Sequence, residues 1–256
     1  MGHAVHRVFF FVAMRRFHAS DVQPGPHSLG PDEARHLVQV LRARPGDMVE
    51  LADGRGAVFP AEVLSIGKRE ALLQVGVPEC HPEPVPRLTL LVAPTKHTDR
   101  FEWFLEKACE CGVSCIQPIW TNRSERKVEK PERWRRTLVE AMKQSRRAWL
   151  PELRPALGLK DALEAVTSGE HAPWLAVAHC PVPDHPEWKR QSLVNALPAG
   201  RDVVIVIGPE GDFTPEEITA MAAMGAVAVT MGEHRLRTET AALYAVQAFH
   251  VLNALQ

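Results

Sequence analysis

Residues 203–217, VVIVIGPEGDFTPEE, indicate the fold class of this chain. The first five of them form a continuous apolar run, mostly β-branched, which is typical of a strand covered on both faces of a parallel sheet. Thr214 then offers an N-cap hydroxyl, Pro215 occupies the first helical position, and Glu217 completes a capping box. The segment therefore predicts a strand, a tight turn and a helix.

The turn, GPEG, would lie at the carboxyl end of its strand, where open α/β sheets bind ligands. Gly208 and Gly211 allow positive φ or close backbone approach, although a connection that merely needs glycines fits the pattern equally well. No Lys-Ser/Thr follows the second glycine and there is no G-x-G-x-x-G. The turn is therefore neither a P-loop nor a dinucleotide fingerprint.

Apolar runs and amphipathic helices alternate on both sides of this segment. Further predicted strands are LTLLVA (88–93), CIQPIW (115–120), WLAVAH (174–179) and VAVTM (227–231), and predicted helices cover 98–111, 131–148, 215–224 and 239–255. This alternation predicts a parallel α/β sheet with helices on both faces.

The amino-terminal part has a different pattern. Residues 47–66 alternate at period two around a DGRG turn, EALLQV adds another strand, and one helix is predicted from about residue 32 to 42. We expect a small barrel-like β domain over residues 15–78, a stiff proline-rich linker over 79–87, and the α/β domain over 88–256. Residues 1–14 are expected to be an extension, since Met14 followed by two arginines resembles a natural start.

The composition limits the function classes. The chain has 256 residues, 45% hydrophobic, and a formal net charge of -1, so affinity for a polyanion must come from a local patch. Residues 123–147 are such a patch, with ten Lys/Arg against four Glu. The apolar run from Val8 to Met14 is too short to span a bilayer and no cleavage signature follows it, which favours a cytoplasmic protein.

No metal site is predicted. The five cysteines are an odd number without disulfide-scaffold density, which suits a reducing compartment. Cys109, Cys111 and Cys115 lack zinc-knuckle spacing and a nearby fourth ligand, and the dispersed histidines form neither H-x3-H nor H-E-x-x-H.

A second loop repeats the pattern of the first. The last strand ends in MGEHRLRTETAALYA, residues 231–245, where Gly232 is followed by a polar loop and Thr238 is the expected N-cap of a helix. Alone, this is a capped helix start with a surface ion pair. Two successive loops of this kind, with free helix amides, predict a cradle for a polar small molecule.

The chain resembles the 16S ribosomal RNA uridine-N3 methyltransferase family, often called the RsmE family. The resemblance rests on GPEGDF, RLRTETA, DRFEWFLEKACECGVSCIQPI and EAMKQSRRAWLP, and on RRFHAS, HLVQVLRARPGD and DGRGAVFPAEV in the amino-terminal part. It implies a SPOUT-type sheet with a carboxyl-terminal trefoil knot, a PUA-like RNA-binding domain, S-adenosylmethionine as cofactor, and no metal. It also implies a homodimer whose active sites lie near the subunit interface.

The resemblance carries cofactor roles to thirteen positions. They are Ile207, Gly208, Pro209, Glu210, Gly211, Met231, Gly232, Leu236, Arg237, Thr238, Glu239, Thr240 and Ala241. Asp212 stands where the family usually has a second glycine, and His234 and Arg235 replace an arginine and an aliphatic residue. The Asp212 carboxylate would narrow the allowed backbone angles and add negative charge near the cofactor.

Methylation at N3 of uridine requires removal of the N3 proton, so the enzyme must stabilise an anionic uracil in line with the methyl group. Arg16 or Arg237 would stabilise the developing charge. Among the carboxylates of the motif, Glu210 is the nearest that could act as the base. A role as a hydrogen-bond acceptor that shapes the loop or binds the cofactor fits it at least as well.

The expected partner is the 16S rRNA of the 30S ribosomal subunit. It is expected to contact the basic patch and part of the small domain. The candidate RNA-binding residues are Arg15, Arg16, His36, Arg42, Arg123, Ser124, Arg126, Gln144, Arg146 and Arg147. Trp149 would stack on a base or simply pack. Alternatives are a methyltransferase acting on another RNA, such as transfer RNA, and a non-catalytic ribosome-assembly factor.

Overall fold

The computed structural model of the protein describes residues 14–40, 42–67, 70–125, 127–169, 172–182 and 189–254. The expected extension before Met14, and the candidate RNA-binding residue Arg126, lie outside these ranges. The chain divides into two compact units: the first runs to Pro82 and includes Arg146–Trp149, and the second comprises Glu83–Ser145 and the chain from Leu150 onward.

The first unit is a mixed β-sheet. Its strands are β1 (Arg16–His18), β2 (Gly25–Leu29), β3 (Met48–Ala52), β4 (Ala57–Ile66), β5 (Ala71–Val75) and β6 (Glu79–Cys80). They are ordered β1-β3-β4-β5-β2, with β6 also paired to β4. β1 is parallel to β3, and the other pairs are antiparallel. The predicted hairpin around DGRG is confirmed, because β3 and β4 pair from Met48↔Glu62 to Ala52↔Val58.

A short helix crosses between β2 and β3. It consists of α1 (Pro31–Arg35) and a π-helical segment (His36–Val40), where one helix was predicted from about residue 32 to 42. Ala34 and Leu37 are buried in the core with Phe17, Leu51 and Leu73. The inward residues of the alternating strands therefore form one hydrophobic core with this helix.

Residues from later in the chain complete the first unit. The Gly56 amide donates to the Ala148 carbonyl, and Trp149 Nε1 donates to the His81 carbonyl, each at 3.1 Å. A Cβ on Gly56 would lie 2.7 Å from the Trp149 ring, so this contact requires glycine. Trp149 therefore packs within the protein.

The second unit is an eight-stranded parallel sheet. Its strands are β7 (Leu88–Val92), β8 (Cys115–Trp120), β9 (Glu152–Leu153), β10 (Leu157–Gly158), β11 (Trp174–Ala178), β12 (Gln191–Ser192), β13 (Val203–Ile207) and β14 (Val227–Thr230). The order is β10-β8-β7-β13-β11-β14-β12, with β9 paired to β8. Every pair is parallel. This confirms the predicted α/β class.

Helices cover this sheet. They are α2 (Thr98–Glu110), α3 (Pro131–Gln144), α4 (Leu159–Thr167), α5 (Leu193–Ala196), α6 (Pro215–Ala223) and α7 (Thr238–Ala254). α4 and α6 pack on inward residues of β7, β11 and β13, while α7 packs against β7 and β13 and α2 packs against α3 and α7. All five residues of β13 are buried, as the continuous apolar run predicts.

The structure corrects two boundaries. The helix predicted over 131–148 ends at Gln144, because Arg146 adopts a left-handed φ of 57° and the following residues bond to the sheet of the first unit. The segment predicted as a linker begins with β6, whose Glu79 and Cys80 pair with β4. Pattern alone also missed α4, α5 and the two-residue strands.

The capping signals of α2 and α6 act as expected. Thr214 Oγ1 accepts from the Glu217 amide and the Glu217 carboxylate accepts from the Thr214 amide, which is the predicted capping box. α2 ends at Glu110, and just beyond its cap Gly112 has a φ of 105°, with the Val113 amide bonded back to the Ala108 carbonyl.

Among the described residues, no helix combines the length and the apolar character that a membrane crossing needs.

Candidate functional site

A cavity of about 620 Å³ lies at the carboxyl end of the parallel sheet. Loops that follow the adjacent strands β11, β13 and β14 form it together with the start of α7. The lining residues are 178–181, Arg190, 207–210, Asp212, 229–238 and Ala241. Its size is that of a small-molecule site, and its position is the one at which open α/β sheets bind ligands.

The GPEG turn has a defined shape because its neighbours hold it. The Asp212 amide donates to the Pro209 carbonyl at 2.9 Å, which closes the turn. Gly208 faces the ring of Phe213: a Cβ there would lie 2.9 Å from that ring, so the glycine serves close packing. Of the two uses predicted for these glycines, Gly208 thus shows close approach, whereas the residue with a left-handed φ is Asp212, at 62°.

Three side chains from two other segments bond to this turn. Thr238 Oγ1 donates to the Gly208 carbonyl at 2.9 Å, and Arg235 Nη2 donates to the Glu210 carbonyl at 2.8 Å. Arg123 Nη1 donates to the Gly211 carbonyl at 3.0 Å. The turn is therefore tied to the loop before α7 and to the loop after β8, which leaves little freedom for its backbone.

The Asp212 carboxylate joins the turn to the loop after β11. Its Oδ2 accepts from the Cys180 amide and its Oδ1 accepts from the Phe213 amide, each at 2.8 Å. Burial raises the pKa of the Cys180 thiol, and the neighbouring Asp212 carboxylate raises that pKa further. Cys180 is accordingly a neutral thiol in the cavity wall, without the features of an activated nucleophile.

The loop after β14 approaches from the other side. Gly232 has a φ of 122°, and Thr230 Oγ1 donates to its carbonyl at 2.9 Å. Thr238 and Glu239, the first residues of α7, are buried, whereas Arg237 is exposed on the cavity lining. Arg237 makes no side-chain hydrogen bond or ion pair within the described part of the chain, so its guanidinium is available to a ligand.

Ten of the thirteen candidate cofactor residues line the cavity; Gly211, Glu239 and Thr240 do not. Glu239 Oε1 instead lies 3.9 Å from Nε of Arg100 on α2. The lining residues that sequence reasoning missed include His179, Cys180, Pro181 and Arg190. Their signal was present, since they lie at or after the end of the predicted strand 174–179, but using it required knowing that β11 lies beside β13.

The three candidate catalytic residues have different surroundings. Glu210 and Arg237 line the cavity. Glu210 Oε1 accepts from the Lys96 amide at 3.3 Å, and its Oε2 makes no hydrogen bond to the described residues. Arg16 belongs to the first unit, where Nε and Nη2 bond to Glu50 Oε2 at 3.0 and 2.9 Å and Nη1 donates to the Arg146 carbonyl.

The candidate RNA-binding residues fall in both units. Within the first unit, Glu50 pairs with Arg16 and also with Arg146, whose Nη2 lies 2.7 Å from Oε1. Arg15, Arg42, His36 and Arg147 belong to this unit as well. Within the second unit, Gln144 ends α3, and Ser124 Oγ accepts from the Thr121 amide beside Arg123.

The cavity carries balanced charge. Glu210, Asp212 and Glu233 line it together with Arg190, Arg235 and Arg237, and backbone amides of the loops add donors. A ligand that bears both a carboxylate and cationic groups finds partners of both signs here. S-adenosylmethionine has that charge pattern, so the residues present fit the cofactor that the resemblance implies.

Comparison with known proteins agrees with this geometry. Residues 81–250 match a family model described as an RNA methyltransferase domain, and residues 29–76 match an RNA methyltransferase PUA domain. Over 222 residues the chain is 33% identical to ribosomal RNA small subunit methyltransferase E from Synechocystis, covering 86% of this chain and 71% of that protein.

Two solved structures are similar over nearly the whole chain. A probable rRNA-methyltransferase from Porphyromonas gingivalis has a TM-score of 0.86 at 36% identity, covering 94% of this chain and 99% of that one. Ribosomal RNA small subunit methyltransferase E from Neisseria gonorrhoeae, bound to S-adenosyl methionine, has a TM-score of 0.79 at 27% identity, covering 94% and 98%. With these matches in both units, the chain belongs to the ribosomal RNA small subunit methyltransferase E family.

Proposed function

We propose that the protein transfers a methyl group from S-adenosylmethionine to N3 of a uridine in 16S rRNA of the small ribosomal subunit. The observation that carries this proposal is the cavity built by the loops after β11, β13 and β14, in a chain of this family. Its relatives are named as methyltransferases of small-subunit ribosomal RNA. Ribosome modification also favours the cytoplasm as its location.

The cofactor would be held by the GPEG turn and by the loop that leads into α7. The backbone groups of residues 207–210 and 231–232 and the first residues of α7 would contact it, as proposed for the candidate cofactor residues. When bound, S-adenosylmethionine supplies a methyl group already activated by its sulfonium. The chain itself must then position the uracil and accept one proton.

We assign two residues to this step: Arg237 to stabilise the charge on the uracil and Glu210 to accept the proton. The Arg237 guanidinium, exposed on the cavity lining, would stabilise negative charge on the uracil as N3 loses its proton. Glu210 Oε2 would accept that proton, while Oε1 remains bonded to the Lys96 amide. Arg16 remains a candidate for charge stabilisation, although in the described structure its guanidinium is occupied by Glu50 and Arg146.

The RNA would bind through phosphate contacts to the candidate arginines, and affinity should therefore fall with salt. Support for this is the excess of Lys/Arg over Glu in residues 123–147 of a chain whose net charge is only -1. We also propose a homodimer and a trefoil knot around residues 236–241, as the family resemblance implies.

The test is to incubate the purified protein with S-adenosylmethionine and 30S subunits from a strain that lacks the modification. The RNA is then digested, and 3-methyluridine is measured by mass spectrometry. Formation of 3-methyluridine only when both protein and cofactor are present would support the proposal. Modification of transfer RNA with none of 16S rRNA would overturn the assigned substrate, and failure to bind cofactor would favour a non-catalytic assembly factor.

A further inference from the structure

One peptide unit in the cavity wall is held at both ends by charged side chains. The amide of Cys180 donates to Asp212 Oδ2 at 2.8 Å, and the carbonyl of His179 accepts from Arg190 Nη1 at 3.0 Å. That amide and that carbonyl belong to the same peptide bond. A carboxylate can only accept and a guanidinium can only donate, so this pair selects one orientation of the peptide plane.

The orientation of this peptide affects the cavity because of where the peptide lies. The ladder between β11 and β13 ends at Ala178↔Ile207, and the peptide lies in the loop just beyond it. His179 and Cys180 line the cavity, as do Asp212 and Arg190. Beyond the end of the ladder, the Asp212 carboxylate joins this loop to the GPEG turn through its hydrogen bond to the Cys180 amide.

Asp212 itself is held in an uncommon conformation. Its φ of 62° is left-handed, a region that glycine enters without steric cost and that Asp enters at some cost. Both carboxylate oxygens are engaged, Oδ2 by the Cys180 amide and Oδ1 by the Phe213 amide. A strained residue whose side chain bridges two loops of a binding cavity is expected to have a role in that site.

We propose that Asp212 and Arg190 are positioning residues for the bound cofactor. Together they form a charged clamp that orients the peptide between His179 and Cys180 and holds this wall of the cavity against the GPEG turn. The inference rests on the proposed function, since it takes the cavity as the S-adenosylmethionine site. In the free protein the wall is thus already in its binding position, which favours affinity through preorganisation.

The test compares Asp212→Gly, Asp212→Asn and Arg190→Gln in the full-length protein. Asp212→Gly keeps the backbone angle and removes both hydrogen bonds, so the calorimetric Kd for S-adenosylmethionine should rise about tenfold. Asp212→Asn tolerates the same angle but accepts one bond where the carboxylate accepts two, so it should give an intermediate Kd. KM for the cofactor should follow Kd in each variant, with kcat at saturating cofactor unchanged.

Two further measurements separate positioning from general destabilisation. Hydrogen exchange of the Cys180 amide in the cofactor-free protein should accelerate in Asp212→Gly, while amides in the core strand β7 keep their protection. The double variant Asp212→Gly/Arg190→Gln should weaken binding by less than the product of the single effects, because both residues hold one peptide. Asp161→Asn, which removes an exposed carboxylate on α4, is the control and should bind the cofactor normally.

Unchanged Kd in Asp212→Gly, or a loss of kcat without a change in KM, would overturn the clamp. Its failure is distinguishable from failure of the proposed function. Protein that binds S-adenosylmethionine but forms no 3-methyluridine overturns the assigned reaction, while the Kd values of the variants still decide the clamp. Protein that binds no S-adenosylmethionine overturns both.

Discussion

Glu210 has two carboxylate oxygens in different surroundings, and a single substitution separates their roles. Glu210→Gln keeps an oxygen that accepts from the Lys96 amide but removes the basic carboxylate. If Glu210 accepts the N3 proton, as proposed, kcat should fall about a hundredfold or more while Kd for the cofactor stays the same. Single-turnover methylation and calorimetry measure the two quantities.

The matched control for this substitution is Glu216→Gln, an exposed carboxylate in the first turn of α6 that does not line the cavity. It should methylate at the rate of the unaltered enzyme. A Glu210→Gln enzyme of normal kcat would instead assign Glu210 to shaping the turn alone.

At the scale of elements, the capping box connects the GPEG turn to α6. Thr214→Ala removes the acceptor for the Glu217 amide and should destabilise the first turn of α6 by about 1 kcal/mol. Hydrogen exchange of the amides in that turn should therefore be about fivefold faster. Thr214→Ser retains the hydroxyl and should exchange at the original rate. Equal rates in both variants would show that α6 is held by packing of Ile218 and Met221.

A buried thiol on strand β8, that of Cys115, makes the free energy of unfolding depend on pH in the alkaline range. Burial raises the pKa of the Cys115 thiol from 9.0 to about 12, and the neighbouring Glu152 also raises it. Above pH 9 the unfolded chain releases this proton while the folded protein retains it, so unfolding becomes more favourable as pH rises. The stability from this thiol is complete below pH 9 and is lost as pH approaches about 12.

We therefore expect the urea midpoint to fall as pH is raised above 9, and to fall less steeply in Cys115→Ala. The exposed Cys80 offers the control, since Cys80→Ala should leave the slope unchanged. With a thiol reagent at neutral pH, Cys80 should react in the folded protein and Cys115 only after unfolding. Identical pH slopes in all three proteins would contradict this assignment.

At the scale of the whole molecule, charge distribution decides how the RNA is bound. Arg15 is exposed, and its side chain forms neither a hydrogen bond nor an ion pair within the described ranges. If it contacts a phosphate, Arg15→Gln should weaken 16S rRNA binding and reduce the slope of log K against log salt by about 1. Filter binding over a salt series gives that slope.

Lys160→Gln is the control for the loss of one charge, because Lys160 is exposed on α4 and is outside the candidate RNA-binding residues. It should leave the slope unchanged. An equal reduction in both variants would mean that net charge, and not a localised contact, governs the affinity.

Much of the fold was predictable from local pattern. Strands such as β13 and helices such as α2 and α6 were located because apolar periodicity, capping residues and glycines act over a few residues. Where local pattern predicted an element wrongly, contacts between residues far apart in the chain determine the structure. α3 ends early because residues 146–149 bond to the first unit, and β6 extends a sheet in a stretch whose prolines favour a linker.

The same division holds for the cavity. Local sequence is enough to predict the two glycine loops, their place after strands and the helix starts beside them, because these features depend on neighbouring residues. Three other features depend on the folded chain: the loop after β11 completes the cavity, Arg16 pairs with Glu50, and Asp212 bonds to Cys180. Strand order and side-chain partners arise between residues far apart in the chain, and no local pattern encodes which of them meet.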